Sequence, residues 1–135
     1  MPIPFETIPG RLFDRAAQSP AAPAYYVKQR GVWVPTGYRL FADQVKRAGK
    51  ALMALGCRPG STVSILGFNR PEWVIFDLAC MAVGGAPAGI YTTSSPSEIR
   101  YIVAHAESPV VLVENAEHGR RSPRCAQTCL TSGGS

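Results

Sequence analysis

The sequence predicts an α/β fold: a parallel βαβαβ sheet with flanking helices, preceded by an N-terminal helix and a β-hairpin. Two observations carry this expectation. Three short apolar stretches, Thr62–Leu66, 86–91 and Val110–Val113, alternate with two stretches that open on helix-start signals. These strand-like runs are apolar almost throughout instead of alternating, which suits strands buried on both faces and joined by right-handed crossovers.

The elements follow in chain order. Thr7 is placed to cap a first helix, with Pro9 in its opening turn, Leu12, Phe13 and Ala16 on its apolar face, and Ser19-Pro20 ending it. Runs 24–27 and 32–34, joined by Lys28-Gln29-Arg30-Gly31, predict a hairpin with Gly31 supplying the turn conformation. In segment 40–55, Phe41, Val45, Ala48, Leu52 and Leu55 recur at spacings of four and three and draw one apolar stripe. Gly56 follows where a left-handed C-cap is favoured. Lys46, Arg47 and Lys50 fall on the other side, as a solvated helix face in preference to an anion or membrane-surface patch.

Arg58-Pro59-Gly60 turns the chain into the next strand. Asn69 is the N-cap candidate of the helix that follows, Pro71 is pre-set for its first turn, and Glu72 suits the positive end of its dipole. Trp73, Phe76, Ala79, Cys80 and Val83 give that helix apolar surface. Ser95-Pro96-Ser97-Glu98 spells a capping box, and Ile99, Ile102, Val103 and Ala106 form the inward stripe of helix 96–107. After Asn115 the pattern dissolves. Residues 118–135, rich in Arg, Ser, Gly, Cys and Thr, are expected to be disordered or only locally folded.

At 135 residues the chain is at most one domain, and its 46% apolar and 17% charged composition is that of a soluble globular protein. The net charge of +5 is uneven: residues 1–118 contribute +2, and Arg120, Arg121 and Arg124 supply the other +3. With no basic face carrying stacking or groove-reading elements, nucleic acid is not expected as a partner. Met1 to Glu6 lacks a basic n-region and an apolar h-region, which predicts no signal peptide and a cytoplasmic location. The uncharged run 78–97 is broken by Gly84, Gly85, Pro87 and Gly89, so it reads as a buried helix running into a strand, not as a transmembrane segment.

No catalytic, cofactor-binding or metal-ligating residue is assigned. The fingerprint G-x-G-x-x-G is absent, and 84–89 leads into a strand instead of a helix. The pattern G-x-x-x-x-G-K-[ST] is absent too, since Gly49-Lys50 lies inside a helix and precedes Ala51. There is no G-x-S-x-G elbow, and His105 reads as a helix-terminus residue. Asp77, Glu98 and Glu107 are scattered. Cys57 and Cys80 read as reduced structural thiols; Cys125 and Cys129, with His105 and His118, make only a weak zinc pattern.

Five runs in this order and spacing nevertheless resemble a known family. They are 37–45, 55–63, Asn69-Arg70-Pro71-Glu72-Trp73, 84–91, and the Ser95-Pro96-Ser97-Glu98 cap. Together they are similar to the N-terminal part of AMP-forming acyl-CoA synthetases, of the adenylate-forming superfamily. Runs 89–97 and 111–115 are most similar to the long-chain fatty-acid branch, and the resemblance covers about residues 3–117.

The resemblance implies a partial adenylate-forming N-terminal domain over 1–117, with 118–135 as an off-family tail. It implies the two-step reaction of a fatty-acid CoA ligase, with fatty acid, ATP, Mg²⁺ and coenzyme A as the full-length family's substrates and cofactors. Peripheral membrane contact stays open. The family's phosphate loop, nucleotide-binding motifs and catalytic lysine have no counterpart in these 135 residues, and Thr131-Ser132-Gly133-Gly134-Ser135 lacks the Thr-Gly, Pro and Lys of that loop. The expectation is an inactive piece: a truncated or frame-shifted product, or a cut fragment, with no cofactor held in this chain. Two alternatives stand beside it, a stand-alone α/β interaction module that has lost catalysis and a Rossmann-like nucleotide-binding domain.

Overall fold

The computed structural model describes residues 6–122 and, as backbone, 126–129. Helix α1 (Ile8–Gln18) starts as expected: Thr7 Oγ1 accepts the Gly10 N–H at 3.0 Å, Pro9 lies in the first turn, and Leu12 is buried. The ribbon of β1 (Pro23–Gln29) and β2 (Val32–Gly37) follows, antiparallel. Its strands run longer than predicted because the connection is only Arg30-Gly31, both at positive φ, the two-residue turn whose twist matches a ribbon.

Helix α2 (Tyr38–Ala54) buries Phe41, Val45, Ala48 and Leu52 as the stripe predicts. Leu55 departs from it and is 38% exposed. The chain leaves the helix there through a Schellman cap: the Gly56 N–H bonds Met53 O and the Cys57 N–H bonds Leu52 O, each at 3.0 Å, which turns Cys57 into the core in place of Leu55.

The remaining elements are β3 (Thr62–Leu66), α3 (Pro71–Ala82), β4 (Ala86–Ile90), α4 (Pro96–His105), β5 (Val110–Val113), α5 (Ala116–Arg121) and β6 (Ala126–Cys129). Strands β3 to β6 form one parallel sheet in the order β4-β3-β5-β6. Two expectations change here. Strand β4 is an edge, so Ala86 and Gly89 are exposed where burial on both faces was expected; Pro87, which has no N–H to donate, is tolerated in such a position. The segment expected to lack structure from 118 onward instead contributes to α5, whose cap Asn115 accepts the His118 N–H at 2.9 Å, and to β6, which pairs with β5 from Val110↔Ala126 to Val113↔Cys129. Main-chain pairing with an open strand edge needs no apolar periodicity, so the sequence pattern does not announce it.

Alternation along the central strands divides the core into two layers. Val63, Ile65, Val110 and Leu112 join α1, α2 and α3 in one cluster, while Leu66, Val111 and Val113 join Ile90 and the Ile99 and Val103 of α4 in the other. The result is a sheet sandwiched between helices. Ser64, fully buried on β3, shares a 2.7 Å hydrogen bond with the Ser108 hydroxyl, so neither polar group is left orphaned.

Of the three caps read from the sequence, Thr7 and Ser95 serve as such and Asn69 does not, while the helices expected over 40–55 and 96–107 span Tyr38–Ala54 and Pro96–His105. The capping box is formed: the Ser95 N–H donates to Glu98 Oε2 at 2.6 Å and the Glu98 N–H to Ser95 Oγ at 3.3 Å. Asn69 is not the cap of α3. Pro71 at the first helical position disfavours helical geometry in the residue before it, so Arg70 adopts an extended conformation (φ −154°) and serves as the cap, without a side-chain capping bond. Helices α3 and α4 both end in Schellman caps like that of α2. Gly84 takes the left-handed position after α3, but after α4 it falls to Glu107 (φ +50°), whose N–H and that of Ser108 bond Ala104 O and Val103 O.

Candidate functional site

The strand order fixes where a site belongs. From β3 the chain passes to β4 on one side and then crosses back to β5 on the other, so the connections diverge at the carboxyl ends of β3 and β5. In open α/β sheets that divergence makes the crevice ligands use. Here it is bordered by Gly67-Phe68-Asn69-Arg70 after β3 and Glu114-Asn115 after β5.

Charge and hydrogen bonds close this crevice. Glu114 Oε2 accepts the Phe68 N–H at 2.9 Å, and Glu114 Oε1 accepts from Arg70 Nη1 at 3.1 Å. Arg70 Nε donates to Glu72 Oε2 at 2.7 Å, and Arg70 Nη2 to Glu72 Oε1 at 3.4 Å. Burial pushes the Glu72 carboxyl up, but the Arg70 hydrogen bond, its own backbone and the Arg70 charge together hold it below the usual carboxylate range. The same bonds, that from Glu72 first, hold Arg70 firmly charged.

One guanidinium therefore serves two carboxylates, and the cluster carries net negative charge. Three of the five Arg70 guanidinium N–H groups are engaged by these carboxylates.

Around the staple the surface is aromatic. Phe68, 59% exposed, sets its ring 5.9 Å from that of His118, a buried imidazole whose Nδ1 has no hydrogen-bond partner among the described residues. A groove of about 490 Å³ opens between Phe68, Trp73, Gly89 and Tyr91. Gly89 lets the Trp73 ring lie close to the β4 backbone: a Cβ there would stand 3.1 Å from the ring, so the ring would have to shift by a few tenths of an ångström. A second groove, of about 400 Å³, lies across Trp73 toward the ribbon, between Tyr26, Phe41, Arg70 and Val74. From α5, Arg121 donates to the Thr92 and Ser94 carbonyls and ties down the loop between β4 and α4.

The residues singled out from sequence sit apart from one another. Ser95 and Glu98 are bound up in their cap, and the hydrogen bonds from the Ser95 backbone and hydroxyl lower the Glu98 carboxyl. His105 is exposed and stacks on Tyr101, ring centroids 5.6 Å apart. Asp77 is half-buried on α3, and its carboxyl is raised by burial. Lys46, Arg47 and Lys50 are exposed as expected; Lys46 lies over the Phe13 ring at 5.4 Å. Cys57 and Cys80 are buried free thiols. Among the described residues no group of three His, Cys, Asp or Glu side chains is placed to hold a metal; Cys125, the Cys129 side chain and 131–135 lie outside the described residues.

Sequence reasoning missed the Arg70–Glu114 link. The two residues are 44 positions apart, and only the parallel pairing of β3 with β5 brings them together. The available signal was a basic residue just past one apolar run and an acidic one just past another.

Comparison with known proteins gives this scaffold a family. Residues 12–132 match the AMP-binding enzyme family model. The chain is 38% identical over 88 residues to the Long-chain-fatty-acid-CoA ligase ACSBG2 of Gallus gallus, covering 65% of this chain and 12% of that protein. It is 32% identical over 124 residues to ACSBG2 of Homo sapiens, covering 92% of this chain and 19% of that protein. The crystal structure of the N-terminal domain of FACL13 from Mycobacterium tuberculosis superposes with a TM-score of 0.75 at 26% identity, over 81% of this chain and 27% of that one. The chain thus spans less than a fifth of the length of these curated relatives, and it belongs to the AMP-binding enzyme family.

Proposed function

We propose that this chain is the N-terminal scaffold of a long-chain fatty-acid CoA ligase. In the reaction so assigned, a fatty-acid carboxylate attacks ATP to give an acyl-adenylate and pyrophosphate. The thiol of coenzyme A then displaces AMP to give the thioester, so that ATP, fatty acid and coenzyme A yield acyl-CoA, AMP and pyrophosphate. The relatives named as long-chain fatty-acid ligases support the substrate class.

The role of this piece follows from its chemistry. Catalysis of this kind rests on positioning and on stabilising phosphate charge. The carboxyl-end crevice of β3 and β5 spends its one guanidinium on Glu72 and Glu114, and that observation carries the reading of a scaffold without its own phosphate site. Mg²⁺ and the nucleotide would be held by parts of the family's domain that these residues do not include.

A segment exchange tests the proposal. Residues 12–122 replace the matching segment of FadD15 from Mycobacterium tuberculosis, a relative 34% identical over 99 residues, and acyl-CoA formation from palmitate is measured. A working chimera is expected. A chimera that folds but makes no acyl-CoA contradicts the assignment.

A further inference from the structure

The β1–β2 ribbon is anchored at one end and bare at the other. At its root Tyr25 packs edge-on against Phe41 of α2, ring centroids 5.3 Å apart, and donates its hydroxyl hydrogen to Gln44 Oε1 at 2.9 Å. The Tyr38 and Arg39 N–H groups bond Ala22 O and Pro20 O, each at 3.0 Å, and fix the same end to the start of α2. Residues 28–35, by contrast, are all exposed. They include Val32-Trp33-Val34, exposed by 65%, 63% and 38%. By the register Val32 and Val34 stand on one face of the ribbon and Trp33, opposite Lys28, on the other, so the tip is apolar on both sides. Consecutive exposed apolar residues do nothing for folding and mark a surface that is used.

Two-sided exposure decides the kind of partner. A protein layer packed on a ribbon covers one face, whereas a fluid interface surrounds a projecting tip on both. Charge decides the composition of that interface. Between Asp14 and Asp43 the chain holds Arg15, Lys28, Arg30 and Arg39 and no acid. Lys28 and Arg30 sit at the tip itself, with Lys28 Nζ 5.9 Å from the centre of the Trp33 ring. The strand pairing decides the depth. Among the described residues the outer edges of β1 and β2 pair with no further strand, and such open edges cannot enter hydrocarbon. The headgroup layer suits them, because indole rings concentrate there and anionic lipids attract Lys and Arg. We propose that the tip at residues 28–34 docks this chain on anionic phospholipid bilayers, with Val32 and Trp33 in the headgroup layer and Lys28 and Arg30 against lipid phosphates. Vesicle binding involves no turnover, so its failure would leave the ligase assignment standing.

Co-sedimentation tests the tip. The full 135-residue chain is mixed with vesicles of phosphatidylcholine, alone or with phosphatidylserine, in low and in high salt. Binding to the anionic vesicles alone, reversed by salt, is expected. In a Trp73→Phe chain Trp33 is the sole tryptophan. Its emission is expected to shift to the blue on those vesicles, and to be quenched more by lipids brominated near the headgroup than by lipids brominated at the chain ends.

Lys28→Gln with Arg30→Gln is expected to weaken binding on the order of tenfold or more, and Trp33→Ser about tenfold. Two charges removed elsewhere, by Arg47→Gln with Lys50→Gln on α2 or by Arg120→Gln with Arg124→Gln, are expected to leave it within about twofold. Each variant is first shown by circular dichroism to melt as the parent does. Tip variants that bind like the parent, or a control pair that loses as much, overturn the proposal. So do a parent chain that ignores anionic vesicles or binds neutral ones equally well, a Trp33 that lipid bromines do not quench, and a Trp33-dependent dimer in place of vesicle binding.

Discussion

Replacing Glu114 with Ala tests whether the crevice between β3 and β5 is stapled. The change removes the acceptor of the Phe68 N–H at 2.9 Å and one of the two carboxylates on Arg70 at 3.1 Å. A hydrogen bond to a charged acceptor contributes about 1.5–3 kcal/mol. The Arg70 and Glu114 side chains retain 22% and 17% of their exposure, so the ion pair itself adds only about 0.5 kcal/mol after screening. The expected loss is therefore about 2–3 kcal/mol in urea unfolding followed by circular dichroism. In thermal unfolding the loss is on the order of 10 °C for a chain of this size. Glu114→Gln keeps a neutral acceptor and costs about 1 kcal/mol. If Glu114→Ala unfolds within about 0.5 kcal/mol of the parent, which is the range of neutral surface changes, the staple does not hold the crevice.

Three further outcomes are expected. Burial raises the Asp77 carboxyl, so the folded state disfavours its charge: a stability cost present above its folded pKa fades as pH falls through the carboxylate range. Asp77→Asn should therefore stabilise the chain at pH 7 with a gain that shrinks on acidification, and a gain independent of pH would contradict this. Glu107 is a non-glycine residue in left-handed geometry closing α4, so Glu107→Gly should gain about 1 kcal/mol in urea unfolding, whereas a loss would place a stabilising contact on its side chain. Burial raises the Cys57 thiol and pushes Cys80 up to about 11, so in a Cys125→Ser/Cys129→Ser background both should react slowly with a disulfide reagent until urea is added. Reaction at the rate of a free thiol in the folded chain would show that they are accessible.

Local devices were legible in the sequence because they depend on neighbours. Thr7, the Ser95–Glu98 box, the turn before Thr62 and the stripe of α2 from Phe41 to Leu52 are each decided within one helical turn or two, and the structure keeps them. Asn69 failed as a cap because a stronger local rule, the extended preference before Pro71, placed the cap one residue later. What depended on the third dimension was hidden. Edge placement left β4 half-exposed, strand pairing drew 126–129 beside β5, and the meeting of Arg70 with Glu114 across 44 residues required the sheet to exist first. No site residue was legible in the sequence, and the pairing of Arg70 with Glu72 and Glu114 at the crevice is visible only once the strands are ordered.

These residues are proposed to form scaffold, with the adenylation chemistry elsewhere in the family's domain. The most direct measurement is fatty-acid-dependent release of pyrophosphate from ATP and Mg²⁺ by the purified 135-residue chain, with full-length FadD15 as the active control. No release above the protein-free rate is expected at any palmitate concentration. Saturable, palmitate-dependent release by the chain itself would contradict it and locate a working phosphate site within these residues.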